Sequence, residues 1–310
     1  MRIFTIGETT YDILFRNGNP VSACSGGSAY NSAISLGRCG LPVSLISTFG
    51  DDLVGDISMA FLLNNGVNCN LIQRFAGQSR IAMAFFDTDN NADYSFYKAT
   101  QDIFPEYPVP QENDIILLGS SFALRDNGRD KLLDFLKQAT DKGCIIIYDP
   151  NARQSVTGNT EIINKIIENI ALATIIKGSD QDFQNIFGLN NGIDVYSRIS
   201  ESGDKYLIYT KGAEGAELFA PDFHLINAAK TTMVVSTIGA GDNFSAGIVY
   251  GLYNYLISNQ RFRELTPRTW EVIMDSGTLF ASSVCGSYEN YLPEETAKGL
   301  HPDSMARQGD

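Results

Sequence analysis

Two runs of strand length, Asp114-Ile115-Ile116-Leu117-Leu118-Gly119 and Cys144-Ile145-Ile146-Ile147-Tyr148-Asp149, are apolar at consecutive rather than alternate positions. Successive side chains of a strand point to opposite faces, so such runs must be covered on both sides. A helical stretch over about 127–142 separates them, and Gly143 is its stop. Strand, helix and strand in that order imply a parallel sheet with helices on both faces. The same rhythm occupies 3–6, 28–38, 43–49 and 53–65, then 174–177 and 206–210, and long helices are expected over 240–256 and 267–285. The prediction is a doubly wound α/β fold with a mainly parallel sheet, one domain over 1–310.

One stretch breaks this rhythm. Residues 71–75, 81–87 and 92–97 are β-rich runs joined by turn residues, notably Asp87-Thr88-Asp89-Asn90-Asn91, with no helix between them. They are expected to form a meander apart from the main sheet. With 9–14 they would make a small β-sheet lid over the strand ends, its strands lying at about 9–15 and 71–98. The segment from Leu292 onward reads as loop with a frayed end.

Charge narrows the function. The 310 residues include 23 basic and 36 acidic side chains, a net charge of −13, the reverse of the basic footprint that nucleic-acid binding demands. No run of about eighteen apolar residues occurs, and Met1 to Gly7 reads as a strand rather than a signal peptide. A cytoplasmic protein with no membrane segment is expected. The five cysteines are scattered without a C-x-x-C pair, so they read as reduced thiols. His224 and His301, the two histidines, have no second ligand nearby in sequence. Chemistry must therefore rest on carboxylates and backbone amides.

The segment Ser236-Thr237-Ile238-Gly239-Ala240-Gly241-Asp242-Asn243 follows a β-branched run, Met233-Val234-Val235, which reads as a strand, and opens an apolar helix. Glycines there let several N–H groups and the helix's positive end converge on one anion. An acidic side chain at the mouth of such a cradle is useful if it accepts a proton from a second reactant. That combination suggests phosphoryl transfer to an alcohol. The segment reads equally well as an ordinary turn with Asp242 as a helix cap.

This segment resembles the C-terminal signature D-T-x-G-A-G-D of the ribokinase-like (PfkB) carbohydrate kinases, matching at Thr237, Gly239, Ala240, Gly241 and Asp242. Ser236 stands where the signature has its first acidic residue. The N-terminal half is similar too, with Gly7 and Asp12 placed at the end of strand one, Gly26-Gly27-Ser28-Ala29-Tyr30-Asn31 opening a helix, and Gly50-Asp51-Asp52-Leu53-Val54-Gly55 after the next strand. Asp149-Pro150-Asn151-Ala152-Arg153 resembles the D-x-N-x-R of fructokinases and 2-keto-3-deoxygluconate kinases.

The resemblance implies a ribokinase-like fold and an ATP-dependent sugar kinase, fructokinase-like, that uses magnesium. Asp242 would be the base, with the amides of Gly239, Ala240 and Gly241 cradling phosphate. Asp12, Gly27 and Asn31 would bind the sugar, Phe96 of the lid would cover it, and Arg153 would meet phosphate or substrate oxygens. Ser179 and, through water, Asp182 match a family segment that organises magnesium. Thr210 and Gly212 match one bordering the nucleotide. The missing acid at Ser236 implies little dependence on a monovalent cation, and an exposed lid edge suggests a homodimer. Rival readings are a 2-keto-3-deoxygluconate kinase or another PfkB sugar or nucleoside kinase, and a catalytically silent sugar-binding protein of the same fold.

Overall fold

The computed structural model describes residues 1–86, 92–230, 233–258, 261–287 and 289–301. The first half runs β1 (Ile3–Ile6), β2 (Thr10–Arg16), β3 (Asn19–Gly26), α1 (Ser28–Arg38), β4 (Val43–Gly50), α2 (Leu53–Asn64), β5 (Ile72–Phe75), β6 (Ile81–Phe86), β7 (Ala92–Tyr97), β8 (Ile115–Gly119), α3 (Arg129–Asp141) and β9 (Ile145–Asp149). The second runs α4 (Thr160–Leu172), β10 (Ile175–Ser179), α5 (Asp180–Phe187), α6 (Gly192–Ser200), β11 (Tyr206–Thr210), β12 (Ala216–Phe219), β13 (His224–Asn227), α7 (Ala240–Leu256), α8 (Pro267–Cys285) and α9 (Glu294–Leu300).

The large sheet has the order β13-β12-β11-β10-β9-β8-β1-β4-β5. Every neighbouring pair from β5 across to β11 is parallel, and β12 and β13 add an antiparallel edge. Chain order reverses between β1 and β8, the switch point where open α/β sheets bind ligands. Two apolar cores flank the sheet. One joins Ile3, Tyr30, Leu45 and Trp270 with α1, α7 and α8, and the other joins Phe4, Ile6, Tyr148 and Phe183 with α3 to α6. Ile3 and Phe4 facing opposite cores is the doubly wound arrangement expected of strands apolar on both sides.

The small sheet has the order β3-β2-β6-β7. It departs from expectation in two ways. Residues 71–75, read as part of the meander, form β5 at the edge of the main sheet, paired in parallel with β4 from Ser47↔Ile72 to Gly50↔Phe75. The crossover through α2 returns the chain to the main sheet first. In its place β3 enters the small sheet, paired with β2. Its segment Asn-Pro-Val-Ser-Ala-Cys-Ser-Gly lacks the alternation that marks a strand, so pairing rather than pattern makes it one. The hairpin of β2 and β3 is thus inserted between β1 and its crossover helix α1. The turn at 87–91 lies outside the described residues.

Two further readings are corrected. Met233, Val234 and Val235 do not form a strand; they run irregularly and exposed, with Val235 N donating to Cys285 O at the end of α8. The segment after Leu292 is not loop over 294–300 but helix α9, with Ala297 buried and Tyr250 Oη donating to Leu300 O at 2.9 Å. Docking on α7 supplies the order that its polar sequence does not announce. All five cysteines are free thiols. Among the described residues no helix is long and apolar enough to cross a membrane.

Helices α7 and α8 pack at backbone contact. A Cβ on Gly247 would stand 2.4 Å from Ser276 O and 2.7 Å from Gly277 Cα. Neither atom can yield without moving a helix. Gly247→Ala is therefore expected to lower stability by about 1–3 kcal/mol, read as a lower urea midpoint. The control Gly299→Ala, where nothing stands within 4 Å, should leave the midpoint unchanged or raise it.

Candidate active site

The starts of α1 and α7 meet over the carboxyl ends of the parallel strands. Each begins at a glycine that no other residue could replace without strain. Gly27 has φ 114° and a Cβ there would fall 2.5 Å from Glu8 O; Gly239 has φ 78° and its Cβ would fall 2.6 Å from Asn290 O. Neither helix has a side-chain cap at its N-terminus. Ala240 N turns back to Thr237 O at 3.3 Å, while the amides of Gly241 and Asp242 have no partner among the described residues and are open to an anion, with the helix dipole behind them.

Asn31 Nδ2 donates to Asp242 Oδ2 at 2.8 Å, and Ser32 Oγ donates to Asp242 O at 2.9 Å. A carboxylate only accepts, so the amide nitrogen of Asn31 must face it. Its other atom, Oδ1, is buried and accepts no hydrogen bond. Buried polar atoms are rarely left so, and here the bare acceptor lies on the group that holds Asp242. Beneath it Asn243 is fully buried; its Nδ2 donates to Gly239 O and Asn290 O, both at 2.8 Å, and its Oδ1 accepts from Ser35 Oγ at 2.5 Å. Leu292 N also donates to Ser35 Oγ. The segment 290–292 is thereby strapped across α1 and α7.

On the other side of the α7 start stands Lys177, in the middle of β10. It is 5% exposed and donates to Asp149 Oδ2 at 2.8 Å. Burial works against its charge, yet Asp149, Asp182 and Asp242 together hold its ammonium above the ordinary lysine value. Ser179 caps α5: its hydroxyl accepts from Asp182 N, while Asp182 Oδ2 accepts from Ser179 N at 2.7 Å. Asp182 Oδ1 is left over from this reciprocal cap. Thr210 pairs in register with Ser179, and its hydroxyl donates to Gly178 O at 3.2 Å. Gly212, with φ 54°, opens the next turn onto free space. Arg153 is exposed and makes no ion pair among the described residues.

Asp12 is not at the end of strand one. It lies inside β2, opposite Cys24 and Ala82, so its carboxylate is offered by the small sheet. The β2–β3 hairpin that precedes α1 carries it there. A Cβ on Gly26 would stand 2.6 Å from Asp12 Oδ2 and 3.9 Å from Asn290 Nδ2, which places the strapped segment beside the same carboxylate. Burial raises the Asp12 pKa, against the opposing bond from Thr10 Oγ1. Phe96 lies in β7 across from Ala82 and is 65% exposed.

The structure therefore brings together Asn31, Asp242 and the Gly239–Gly241 turn, and pairs Ser179 with Thr210. Phe96, Arg153 and Gly212 stand apart from that cluster. Lys177, Asn243 and Asn290 were missed by sequence reasoning. Lys177 carried a signal, since a lysine inside the apolar run Ile175-Ile176-Lys177 must find a counter-charge once buried. Asn243 and Asn290 carried none; their partners are brought by tertiary packing alone.

Comparison with known proteins places this geometry. The model of the pfkB family carbohydrate kinases matches residues 2–297. The chain is 28% identical over 260 residues to a fructokinase of Rhizobium leguminosarum bv. trifolii, covering 81% of this chain and 79% of that one. It is 25% identical over 257 residues to the aminoimidazole riboside kinase of Salmonella typhimurium, covering 81% of each. The crystal structure of aminoimidazole riboside kinase from Salmonella enterica, complexed with aminoimidazole riboside and an ATP analogue, superposes with a TM-score of 0.83 at 22% identity, covering 97% of this chain and 99% of that one. That of a fructokinase from Vibrio cholerae O395, with fructose, ADP and calcium ion bound, gives 0.81 at 18% identity, covering 96% and 98%. These two structures establish the ribokinase-like fold.

The raised pKa of Asp12 has a cost in stability. The charged form is disfavoured in the fold, so the penalty is absent well below the ordinary value of 3.8, where Asp12 is protonated both folded and unfolded. It grows as pH rises and is full above the raised folded value. Asp12→Asn is thus expected to raise the urea midpoint at pH 8, with a gain that shrinks toward pH 4. An equal gain at both pH values would mean that the carboxylate is not penalised by burial.

Proposed function

Because the chain belongs to the pfkB family of carbohydrate kinases, we propose that it moves the γ-phosphoryl group of ATP onto a hydroxyl of a ketose, fructose above all. The observation that carries this reading is the Asn31–Asp242 pair, a carboxylate acceptor joined to a buried carbonyl oxygen that accepts nothing, beside a helix start open to an anion. An acceptor hydroxyl has one proton to give. The sugar's neighbouring hydroxyls would meet Asn31 Oδ1 and Asp12, while its reacting hydroxyl meets Asp242.

Asp242 takes the hydroxyl proton as the acceptor oxygen forms its bond to the γ-phosphorus. The bond from that phosphorus to the β–γ bridging oxygen breaks, and its electron pair leaves with ADP. The amides of Gly239 to Asp242 stabilise the negative charge spread over the transferring group. No group of three acidic, histidine or cysteine side chains is gathered to hold a metal among the described residues. Magnesium would neutralise phosphate charge as an ion carried on ATP, and Asp182, whose Oδ1 is free of the cap, would be the residue to hold it through water. Thr210 and Gly212 would border the nucleotide and Arg153 would meet its phosphates only on closing from their places outside the cluster, and closure of the small sheet with Phe96 would keep water from competing as acceptor. The sheet's outer strands, β3 and β7, suit pairing with a second copy.

An acceptor bearing a carboxylate, as in 2-keto-3-deoxygluconate kinases, needs an uncommitted cation in the sugar pocket. Arg125 is not one, since it pairs with Glu8 at 2.7 Å and Asp102 at 3.5 Å. The deciding experiment is ATP turnover against a panel of ketoses, aldoses, ribosides and sugar acids, with fructose expected to give the highest kcat/KM. In that assay Asp242→Asn should lose about 10²–10⁴ in kcat while nucleotide affinity holds. Asn31→Ala should raise KM for the sugar far more than KM for ATP. A silent sugar-binding protein would turn over none of the panel.

The monovalent-cation site of the family does not fit this chain. Ser236 Oγ accepts from Ile238 N, and Cys285 O already receives Val235 N and Ser236 N, so a neutral and engaged hydroxyl stands where a carboxylate would attract an ion. Titrating KCl at constant ionic strength is expected to change kcat by well under about tenfold, and Ser236→Asp should strengthen the response.

A further inference from the structure

The ammonium of Lys177 stands at the first turn of α7. A side-chain carbon on Gly241 would lie 3.1 Å from Nζ, in the same turn whose amides are open to an anion. Lys177 Nζ makes one hydrogen bond among the described residues, to Asp149 Oδ2. An ammonium carries three donors, so two N–H groups remain unspent on a side chain that is 94% buried. A lysine merely stabilising the core would be expected to satisfy them, because unmet buried donors are costly.

The lysine is also held in place. Asp149 Oδ2 accepts from Ser245 Oγ at 3.2 Å, one helical turn beyond Gly241 on α7, and Asp149 Oδ1 accepts from Asn151 N at 3.3 Å. The ends of β9 and β10 and the start of α7 thus share one fixed cation. Its surroundings are acidic, with Asp149, Asp182 and Asp242 all acting on it. Three carboxylates around one ammonium leave a negative surplus that would repel a phosphate, in a chain whose net charge is already −13. A directed N–H contact from that ammonium adds to the helix amides in offsetting the repulsion where the anion must sit.

We propose that Lys177 is a phosphate-binding residue that donates hydrogen bonds to the γ-phosphoryl group, with Asp149 and Ser245 as its positioning residues. This rests on the kinase reading above. Lys177 stays protonated throughout and takes no part in bond making. Gly241 is glycine because a side chain there would stand between the ammonium and the helix amides.

The test compares nucleotides that differ by the γ-phosphate. Calorimetric titration with magnesium and either ADP or the β,γ-imido analogue of ATP is run on the wild type, Lys177→Met, Lys177→Arg and the double variant Lys177→Met/Asp149→Asn, which leaves no lone buried carboxylate. Both variants lacking the lysine are expected to lose about ten- to hundredfold in affinity for the imido analogue and less than about twofold for ADP, with Lys177→Arg intermediate. Affinity for the analogue equal to wild type, or an equal loss for both nucleotides, would overturn the proposal. The sugar panel fails separately: a wild type that phosphorylates nothing refutes the kinase reading, while a selective loss of the analogue would still place Lys177 on a terminal phosphate.

Discussion

The hydrogen bond from Asn31 to Asp242 joins residues 211 positions apart in the chain, and the rest of the site is arranged around it. It brings together the first turns of two helices that follow different strands. Because the bond uses the amide nitrogen of Asn31, the carbonyl oxygen is left as a buried acceptor with no partner among the described residues. Because it uses one oxygen of Asp242, the other is left for chemistry. One contact therefore orients both the groups that the proposed reaction assigns to a substrate hydroxyl: the Asn31 carbonyl as acceptor and the Asp242 carboxylate as base.

That contact is possible only because the backbones approach closely. Gly27 and Gly239 turn the chain with positive φ against the carbonyls of Glu8 and Asn290. Gly247 and Gly277 bring α7 against α8 with no side chain between them. Beneath, Asn243 bonds to its own helix, to Ser35 of α1 and to the segment at Asn290. Each of these groups has a single function, to fix the start of α7 in relation to α1. Pre-set amides need not reorganise when charge develops on a transferring group.

The two sheets divide the work. The main sheet places Ser179 and Thr210 at the carboxyl ends of β10 and β11, where parallel strands expose their last residues, and Lys177 two residues earlier in β10, buried. The small sheet carries Asp12 and Phe96 and stands over those ends. A carboxylate buried against its preference and an aromatic ring left largely exposed are features that stability alone does not favour. In the proposed reaction both would face the sugar.

The amino-acid sequence by itself determined the doubly wound sheet, because runs such as Ile115 to Leu118 and Ile145 to Tyr148 are apolar at consecutive positions and can be buried only between two helix layers. It determined the long helices α7 and α8 to the residue, and the glycine turn with Asp242, since positive φ and an uncapped helix start leave a local mark. What it left open depends on partners distant in the chain. The strand β3 exists through pairing with β2, α9 through docking on α7, and the place of Asp12 through an inserted hairpin. Lys177 acquired its role only when the fold set it beside Gly241. Local pattern records how a segment is covered; which polar groups meet across a site is decided by packing, because a hydrogen bond needs its partner within about 3 Å and sequence separation carries no such distance.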